Sequence, residues 1–313
     1  MTEPVIGVGV PVWRAAAFVS QTLESVLAQR NVKLKLIISI DGCDTESEQA
    51  CLRFKSDPRA QIVVQPRRLG WVGNTAAVLA LARDGVEFAC VQPHDDWIEP
   101  DYLRTLVDEA RANPRSAVVF SDMIAFGAWS GVISQESITG TPIERQIALL
   151  RRHFNAVAFR GLIRASTLAD IPPIAGNDQS DFACDTVWMA RLARAGELLR
   201  VPRVLYHKRY DPNSLHAQWT TWSLDRKLRA WTRHCLDMLS EALTVARSKE
   251  ERRLLIEMSR RRLMLSEAEI GPYAAEIRSL THQGRSQIQQ NFAAAVAARS
   301  DIGPLGHSAL GLP

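Results

Sequence analysis

Two stretches set carboxylates directly after apolar, β-rich runs: Ile40-Asp41-Gly42-Cys43-Asp44 and Gln92-Pro93-His94-Asp95-Asp96-Trp97. In an open α/β sheet, ligands bind beyond the carboxyl ends of the strands, so polar residues there carry more weight than polar residues elsewhere. Adjacent carboxylates repel one another. A divalent cation removes that repulsion, and ligation by oxygen alone suits Mg²⁺ or Mn²⁺. The competing structural reading makes Asp95 and Asp96 caps of the helix that follows, and Asp41 a turn residue ahead of Gly42. His94 beside the pair reads as an outward or supporting residue more readily than as a ligand. His153, His216, His234, His282 and His307 show no metal-ligand spacing.

The elements that must position these groups follow from periodicity. Candidate strands are Ile6–Val10, Leu36–Ile40, Ile62–Val64, Phe88–Gln92 and Ala117–Ser121. Between them, Ala15–Gln29 has helical spacing of Phe18, Thr22, Leu23, Val26 and Leu27. A second helix is expected from an Asn74 N-cap through Ala82. A third opens at Pro100, with Leu103, Leu106, Val107 and Ala110 on one face. This alternation predicts an α/β fold with a mostly parallel sheet flanked by helices. Further on, helices are expected at Ile143–His153 and Asp185–Ala195, and strand-like runs at Leu198–Val201 and Val204–His207. After residue 213, Leu224, Leu228, Trp231, Cys235, Met238 and Leu239 form the apolar stripe of a long helix, with another over Glu250–Leu265. The expected organisation is an α/β domain over 1–216, a helical extension over 217–300 and a flexible Gly/Pro-rich tail over 301–313.

With 313 residues, 46% hydrophobic and 23% charged, the chain is in the ordinary globular range, which excludes general disorder. Its five cysteines are odd in number and scattered, with no C-x-x-C, favouring reduced thiols over a disulfide framework or zinc site. No apolar run is long enough to span a bilayer, and the first residues lack a basic leader, so a cytoplasmic setting is expected. The formal charge of +4 is too small to argue for nucleic acid. Its location is more informative: residues 1–216 hold 24 basic and 24 acidic residues, and 217–313 hold 14 and 10.

Taken in order, several pieces resemble family 2 glycosyltransferases of the GT-A (Rossmann-like) fold. They are Val8-Gly9-Val10-Pro11-Val12-Trp13, Leu23-Glu24-Ser25-Val26-Leu27-Ala28-Gln29, Ile40-Asp41-Gly42, Arg68-Leu69-Gly70 and Asp95-Asp96-Trp97-Ile98-Glu99-Pro100-Asp101-Tyr102-Leu103. Asp185 eleven residues before Gly196, then Val201-Pro202 and Leu205-Tyr206-His207-Lys208-Arg209, extend the series over about two-thirds of the chain. The resemblance implies a nucleotide-diphosphate sugar as donor and a hydroxyl group as acceptor. It puts Pro11, Val12 and Trp13 beside the base and ribose, and Asp41 on the base. Arg68 and Gly70 pack alongside the nucleotide. Asp95 corresponds to the last carboxylate of the metal-binding D-x-D signature, with Asp96 its neighbour and Mg²⁺ or Mn²⁺ the cofactor. Arg209, with Lys208, would meet phosphate charge. Asp185 corresponds to the general base that takes the acceptor's proton, with Asp181 the substitute, and inversion at the anomeric carbon is the family's expectation.

Three departures bear on that reading. Pro93 stands at the first position of D-x-D, Cys184 replaces the Glu beside the base, and Asp211-Pro212-Asn213-Ser214 lacks the His that relatives often carry there. His207 or Asp211 is the candidate to replace that His near the metal. Pro93 and Cys184 leave open a binding module that keeps the fold without the chemistry. A sugar-nucleotide nucleotidyltransferase would need a Gly-rich loop with a basic residue after strand one, where this chain has Pro11-Val12-Trp13-Arg14-Ala15. Trp97 and Tyr102 read as core, and Trp13 as either a ligand contact or packing. The expected setting is polysaccharide or glycoconjugate synthesis. The helical extension would pack on the catalytic domain, form a homodimer, shape the acceptor site or touch an anionic membrane surface through Arg252, Arg253, Arg260, Arg261 and Arg262. Interleaved Glu250, Glu251 and Glu257 favour ordinary solvated faces.

Overall fold

The computed structural model describes residues 3–151, 157–212, 214–264, 280 and 282–298. The tail over 301–313, Leu265 and His153 lie outside them. The described chain forms two compact units. One comprises Met1–Thr139, Ala156–Gly176 and Ala195–Pro212, the other Gly140–Asn155, Asn177–Arg194 and Asn213–Pro313. This differs from a single boundary at 216/217, because two earlier stretches group with the C-terminal helices.

The first unit is built on a nine-stranded sheet among the described residues. Its strands are β1 (Val5–Val12), β2 (Lys33–Ile40), β3 (Ala60–Val64), β4 (Phe88–Val91), β5 (Trp97–Ile98), β6 (Ser116–Gly127), β7 (Gly131–Ile133), β8 (Leu162–Arg164) and β9 (Glu197–Tyr210). They run in the order β3-β2-β1-β4-β8-β6-β9-β5, with β7 paired to β6. The β3-β2-β1-β4 half is parallel, as is β6 with β9, whereas β8, β5 and β7 pair antiparallel. β1, β4 and the Leu36–Ile40 part of β2 are mostly apolar and buried, as strands covered on both faces must be. The helices of this unit are α1 (Val19–Leu27), α2 (Thr45–Leu52), α3 (Gly70–Ala82), α4 (Tyr102–Ala112) and the short α6 (Ala165–Asp170). α3 lies directly on β1, where a Cβ at Gly7 would fall 1.9 Å from the Ala82 carbonyl oxygen. Only glycine admits that approach.

The second unit holds α5 (Pro142–Arg151), α7 (Cys184–Ala195), α8 (Leu215–Thr220), α9 (Leu224–Leu243), α10 (Lys249–Leu263) and α11 (His282–Ala298). Trp188, Met189, Trp231, Cys235, Met238, Leu239, Leu255 and Val296 fill its interior. Buried polar links explain why the earlier stretches belong here. Glu241 of α9 takes Arg191 at 2.7 Å and Arg194 at 2.8 Å, both from α7. Arg145 of α5 donates to the carbonyls of Ala193 (2.6 Å) and Arg194 (3.1 Å), satisfying the end of α7. Ser248 and Glu251 form a capping box at the start of α10. Among the described residues no helix is long and apolar enough to cross a membrane.

Several boundaries differ from the sequence expectation, among them the start of α1, at Val19 rather than Ala15. α3 begins at Gly70, four residues before Asn74, because its cap is supplied by a distant residue (below). Asn74 is buried inside the helix, where its Nδ2 donates to the Ser39 carbonyl at 2.9 Å. α4 begins at Tyr102 rather than Pro100. The runs at 198–201 and 204–207 are one strand, β9, whose register against β6 shifts between Ser121 and Met123.

Candidate active site

β1 and β2 end side by side, which brings Trp13, Asp41 and the turn before α3 together. The Val12 carbonyl accepts from the Asp41 amide at 2.9 Å. Val12 itself is fully buried, so its side chain belongs to the core and only its backbone meets the site. Asp41 is 1% exposed. Its Oδ1 accepts from the Leu69 amide at 2.6 Å and its Oδ2 from the Gly70 amide at 3.0 Å. A carboxylate from β2 therefore caps α3 across 28 residues, where the helix dipole favours negative charge. Gly70 has φ +75° with open space where a Cβ would sit, so conformation rather than crowding selects glycine. The exposed Arg68 guanidinium stacks over Trp13, 4.1 Å from the ring centroid. Arg14 approaches the same ring at 5.5 Å. Pro11, half-buried, offers its carbonyl to His94 Nδ1 at 2.9 Å. That contact orients His94 as a brace between the β1 and β4 loops.

The acidic pair after β4 separates into two environments. Asp96 is 1% exposed and fully engaged. Its Oδ1 accepts from the Arg209 amide at 2.8 Å, and its Oδ2 from Tyr206 Oη at 2.8 Å and Arg160 Nε at 3.0 Å. Asp95 is half-buried, and among the described residues no other residue donates to its carboxylate. Burial, and then the neighbouring Asp96, push its carboxyl above the usual carboxylate range. The turn carrying the pair is pinned by Thr22 of α1, whose hydroxyl lies 2.7 Å from the carbonyl oxygens of both His94 and Asp96. Arg209 also meets this turn. Its Nε donates to the Asp95 carbonyl at 3.3 Å, while Phe18 and Phe126 flank its guanidinium at 4.5 and 4.6 Å.

His207 does not join Asp95. Its ring stacks on Trp97 and its Nε2 meets Glu99 at 2.8 Å, because β9 pairs His207 with Trp97 across β5. Tyr102 is buried, with its hydroxyl donated to the Arg160 carbonyl at 2.6 Å. Trp97 and Tyr102 are thus packing residues. Asp211 directly follows β9.

The second unit presents Asp185 in the first turn of α7, where its Oδ1 accepts from the Thr186 amide at 2.8 Å. The loop before it is held in an unusual conformation. Ser180, Asp181 and Ala183 have φ of +53°, +56° and +52°, a region that non-glycine residues seldom occupy and that persists only when surroundings over-determine it. Asn177 supplies that restraint. Its amide donates to Asp181 Oδ1 at 3.0 Å, and its Nδ2 reaches the Phe182 carbonyl at 3.0 Å and Cys184 Sγ at 3.3 Å. Cys184 is buried, and burial, followed by Asp181 and Asp185, pushes its thiol up to about 12.

Sequence reasoning missed Arg160, Thr22 and Asn177. None lies in a motif or at a strand end carrying an acidic pair; Arg160 and Thr22 act through contacts distant in sequence, and Asn177 through the local fold of the 177–184 loop. Among the described residues no three His, Cys, Asp or Glu side chains converge as a ready-made metal cage.

Comparison with known proteins bears directly on this arrangement. Residues 7–168, just over half of the chain, match the family model described as Glycosyl transferase family 2. EpsH of Bacillus subtilis (strain 168), which carries a glycosyltransferase name, is 32% identical over 115 residues. That match covers 35% of this chain and spans only 32% of the relative's length. Among solved structures, S. aureus TarS 1-349 in complex with UDP is similar with a TM-score of 0.64 at 15% identity, over 94% of this chain and 81% of that one. The mannosyltransferase PcManGT from Pyrobaculum calidifontis, in complex with GDP-Man and Mn²⁺, is similar with a TM-score of 0.56 at 14% identity, over 96% and 83%. These two likenesses are of fold: a mixed α/β sheet flanked by helices, as in GT-A glycosyltransferases. With the β1, β2 and β4 strand ends and their acidic residues inside the matched segment, the chain belongs to glycosyl transferase family 2.

Proposed function

We propose that this chain transfers a sugar from a nucleotide-diphosphate donor to an acceptor hydroxyl, with inversion, in the synthesis of a polysaccharide or another glycoconjugate. The observation that carries the reading is the division of labour in the acidic pair. Asp96 is consumed by three protein donors, while Asp95 presents a carboxylate that no other described residue bonds. A hard oxygen ligand of that kind fits Mg²⁺ or Mn²⁺, with phosphate oxygens and water as the remaining ligands, since these ions keep much of their shell outside the protein. When bound, the cation stabilises the charge that develops on the departing diphosphate.

The chain's own groups account for the rest. Trp13 and Arg68 offer a planar pair against which a nucleobase stacks, and the spare lone pairs of Asp41 read its N–H edge. Gly70, with Pro11 and the backbone of Val12, shapes the same corner. Arg209, steadied by two aromatic rings, faces the diphosphate. Asp96 acts through Asp95, as a wall residue rather than a donor contact. Asp185 accepts the acceptor's hydroxyl proton as that oxygen bonds to the anomeric carbon and the bond to the diphosphate oxygen breaks. Five free thiols suit a reducing compartment, and we place the enzyme in the cytoplasm, its C-terminal helices meeting a membrane surface or a second copy. A second reading, a donor-binding relative without transfer, is favoured by Cys184 standing where relatives carry an acid.

The test is a thermal-shift screen of UDP- and GDP-sugars with Mn²⁺, followed by a hydrolysis and transfer assay on any stabilising donor. Stabilisation with turnover supports the enzyme, stabilisation without turnover supports the binding relative, and no stabilisation by any donor overturns both.

A further inference from the structure

We infer that Arg160 is a positioning residue for the acidic pair: by pairing with Asp96 inside the wall, it leaves Asp95 alone to meet the donor's cation. This rests on the proposed role of Asp95. Arg160 ends a single 3-10 turn over Ala158–Arg160, 64 residues away from Asp96 in sequence. It is held at both ends. Tyr102 Oη donates to its carbonyl at 2.6 Å, and its own Nε donates to Asp96 Oδ2 at 3.0 Å. The ion pair is nearly dry, with side chains 13% and 1% exposed. Tyr206 Oη shares Asp96 Oδ2 and in turn accepts from Gln92 Nε2 at 3.2 Å. The network therefore ties α4, β4 and β9 to one carboxylate.

The charge balance gives this network a consequence for ligation. Two successive carboxylates compete for any cation brought to them and repel each other when none is present. Removing the partner of a buried carboxylate leaves its charge uncompensated, which is strongly unfavourable. Arg209 contributes its amide to Asp96, but its guanidinium lies between Phe18 and Phe126. The guanidinium of Arg160 is thus the charge that compensates Asp96. With it in place, Asp96 is locked in one rotamer and the net negative charge of the turn is concentrated on Asp95.

The test measures Mn²⁺ affinity calorimetrically in the presence of saturating UDP and, separately, GDP. It uses the full chain, Arg160→Met, Arg160→Lys and Tyr206→Phe, with melting temperatures in parallel. Arg160→Met is expected to weaken Mn²⁺ about tenfold, the low end for loss of an outer partner that supports a metal site. Arg160→Lys, which keeps the charge, should recover to within about threefold. Lower melting temperature with unchanged Mn²⁺ affinity in Arg160→Met would reduce Arg160 to a structural residue and overturn the inference. If Arg160→Met does not fold, Tyr206→Phe decides: loss of one hydrogen bond on Asp96 should weaken Mn²⁺ about threefold, and no change overturns the inference. Absence of Mn²⁺-dependent nucleotide binding in the unsubstituted chain would instead overturn the proposed function, and this inference with it.

Discussion

Asp41→Asn separates a structural role from a nucleotide-reading one. The carboxylate is buried and accepts the Leu69 and Gly70 amides at 2.6 and 3.0 Å, at the start of α3. Hydrogen bonds to a charged group contribute about 1.5–3 kcal/mol each, against about 1 for a neutral one. Asparagine keeps one acceptor oxygen, now uncharged, and turns its NH₂ toward the other amide, losing that bond and leaving a buried N–H unsatisfied. The helix dipole loses its partner as well, for about 0.5–1 kcal/mol. Relief from burying a charge offsets part of this. The expected net destabilisation is about 3 kcal/mol. Because the chain has two compact units, the assay should be local: native-state hydrogen exchange of the β1 and β2 amides, which reports the opening free energy of the sheet. UDP and GDP affinities measured on the same sample should also fall. A change in opening free energy below about 1 kcal/mol would refute the capping argument. A stability loss with unaltered affinity for both nucleotides would remove Asp41 from the base site.

Asp185→Asn should retain donor binding and lose transfer by about 10²–10⁴-fold, the range for a general base; turnover at the unsubstituted rate would send the search to Asp181. His234 is fully buried beside Arg262, and burial, then Arg262, hold its imidazole well below its ordinary value of 6.5. It stays neutral in the folded state while the unfolded chain binds a proton, so stability contributed above pH 6.5 is lost as pH falls, by up to about 1.4 kcal/mol per unit. His234→Gln should therefore flatten the acid limb of a plot of melting temperature against pH, and an identical limb in both proteins would contradict the sign. Cys43 is exposed, whereas burial drives Cys51 to about 11 and Cys90 and Cys235 to about 12. Native-state alkylation at pH 8 should give a single adduct at Cys43 by mass spectrometry, and an adduct at Cys90 or Cys235 would count against the packing described.

Most of the parallel half of the sheet is legible in the sequence because the buried runs of β1, β2 and β4 are apolar and bounded by turn residues, which places Asp41 and Asp95 just beyond strand ends. What the one-dimensional pattern hid was long-range capping and pairing. The start of α3 has no local cap residue, since Asp41 supplies the acceptor from 28 positions upstream. The two acids after β4 look equivalent in sequence, and only the arrival of Arg160, Tyr206 and the Arg209 amide distinguishes them. β9 looks like two pieces in sequence because the irregular register beside Pro202 interrupts alternation without ending the strand. The small positive charge of the chain also acquires a location: the helical unit buries Arg262 against the carbonyls of Leu149 and Leu150, so part of that surplus is structural rather than available to a partner.

The central claim is that Asp95, and not Asp96, brings a divalent cation to a nucleotide diphosphate. Isothermal calorimetry of UDP and GDP, with and without Mn²⁺, on the unsubstituted chain and on Asp95→Asn tests it most directly. The account predicts nucleotide binding that depends on Mn²⁺ in the former and loses that dependence in the latter, with no fall in melting temperature, because removing the charge relieves repulsion from Asp96. Equal Mn²⁺-dependent affinity in the two proteins would contradict it.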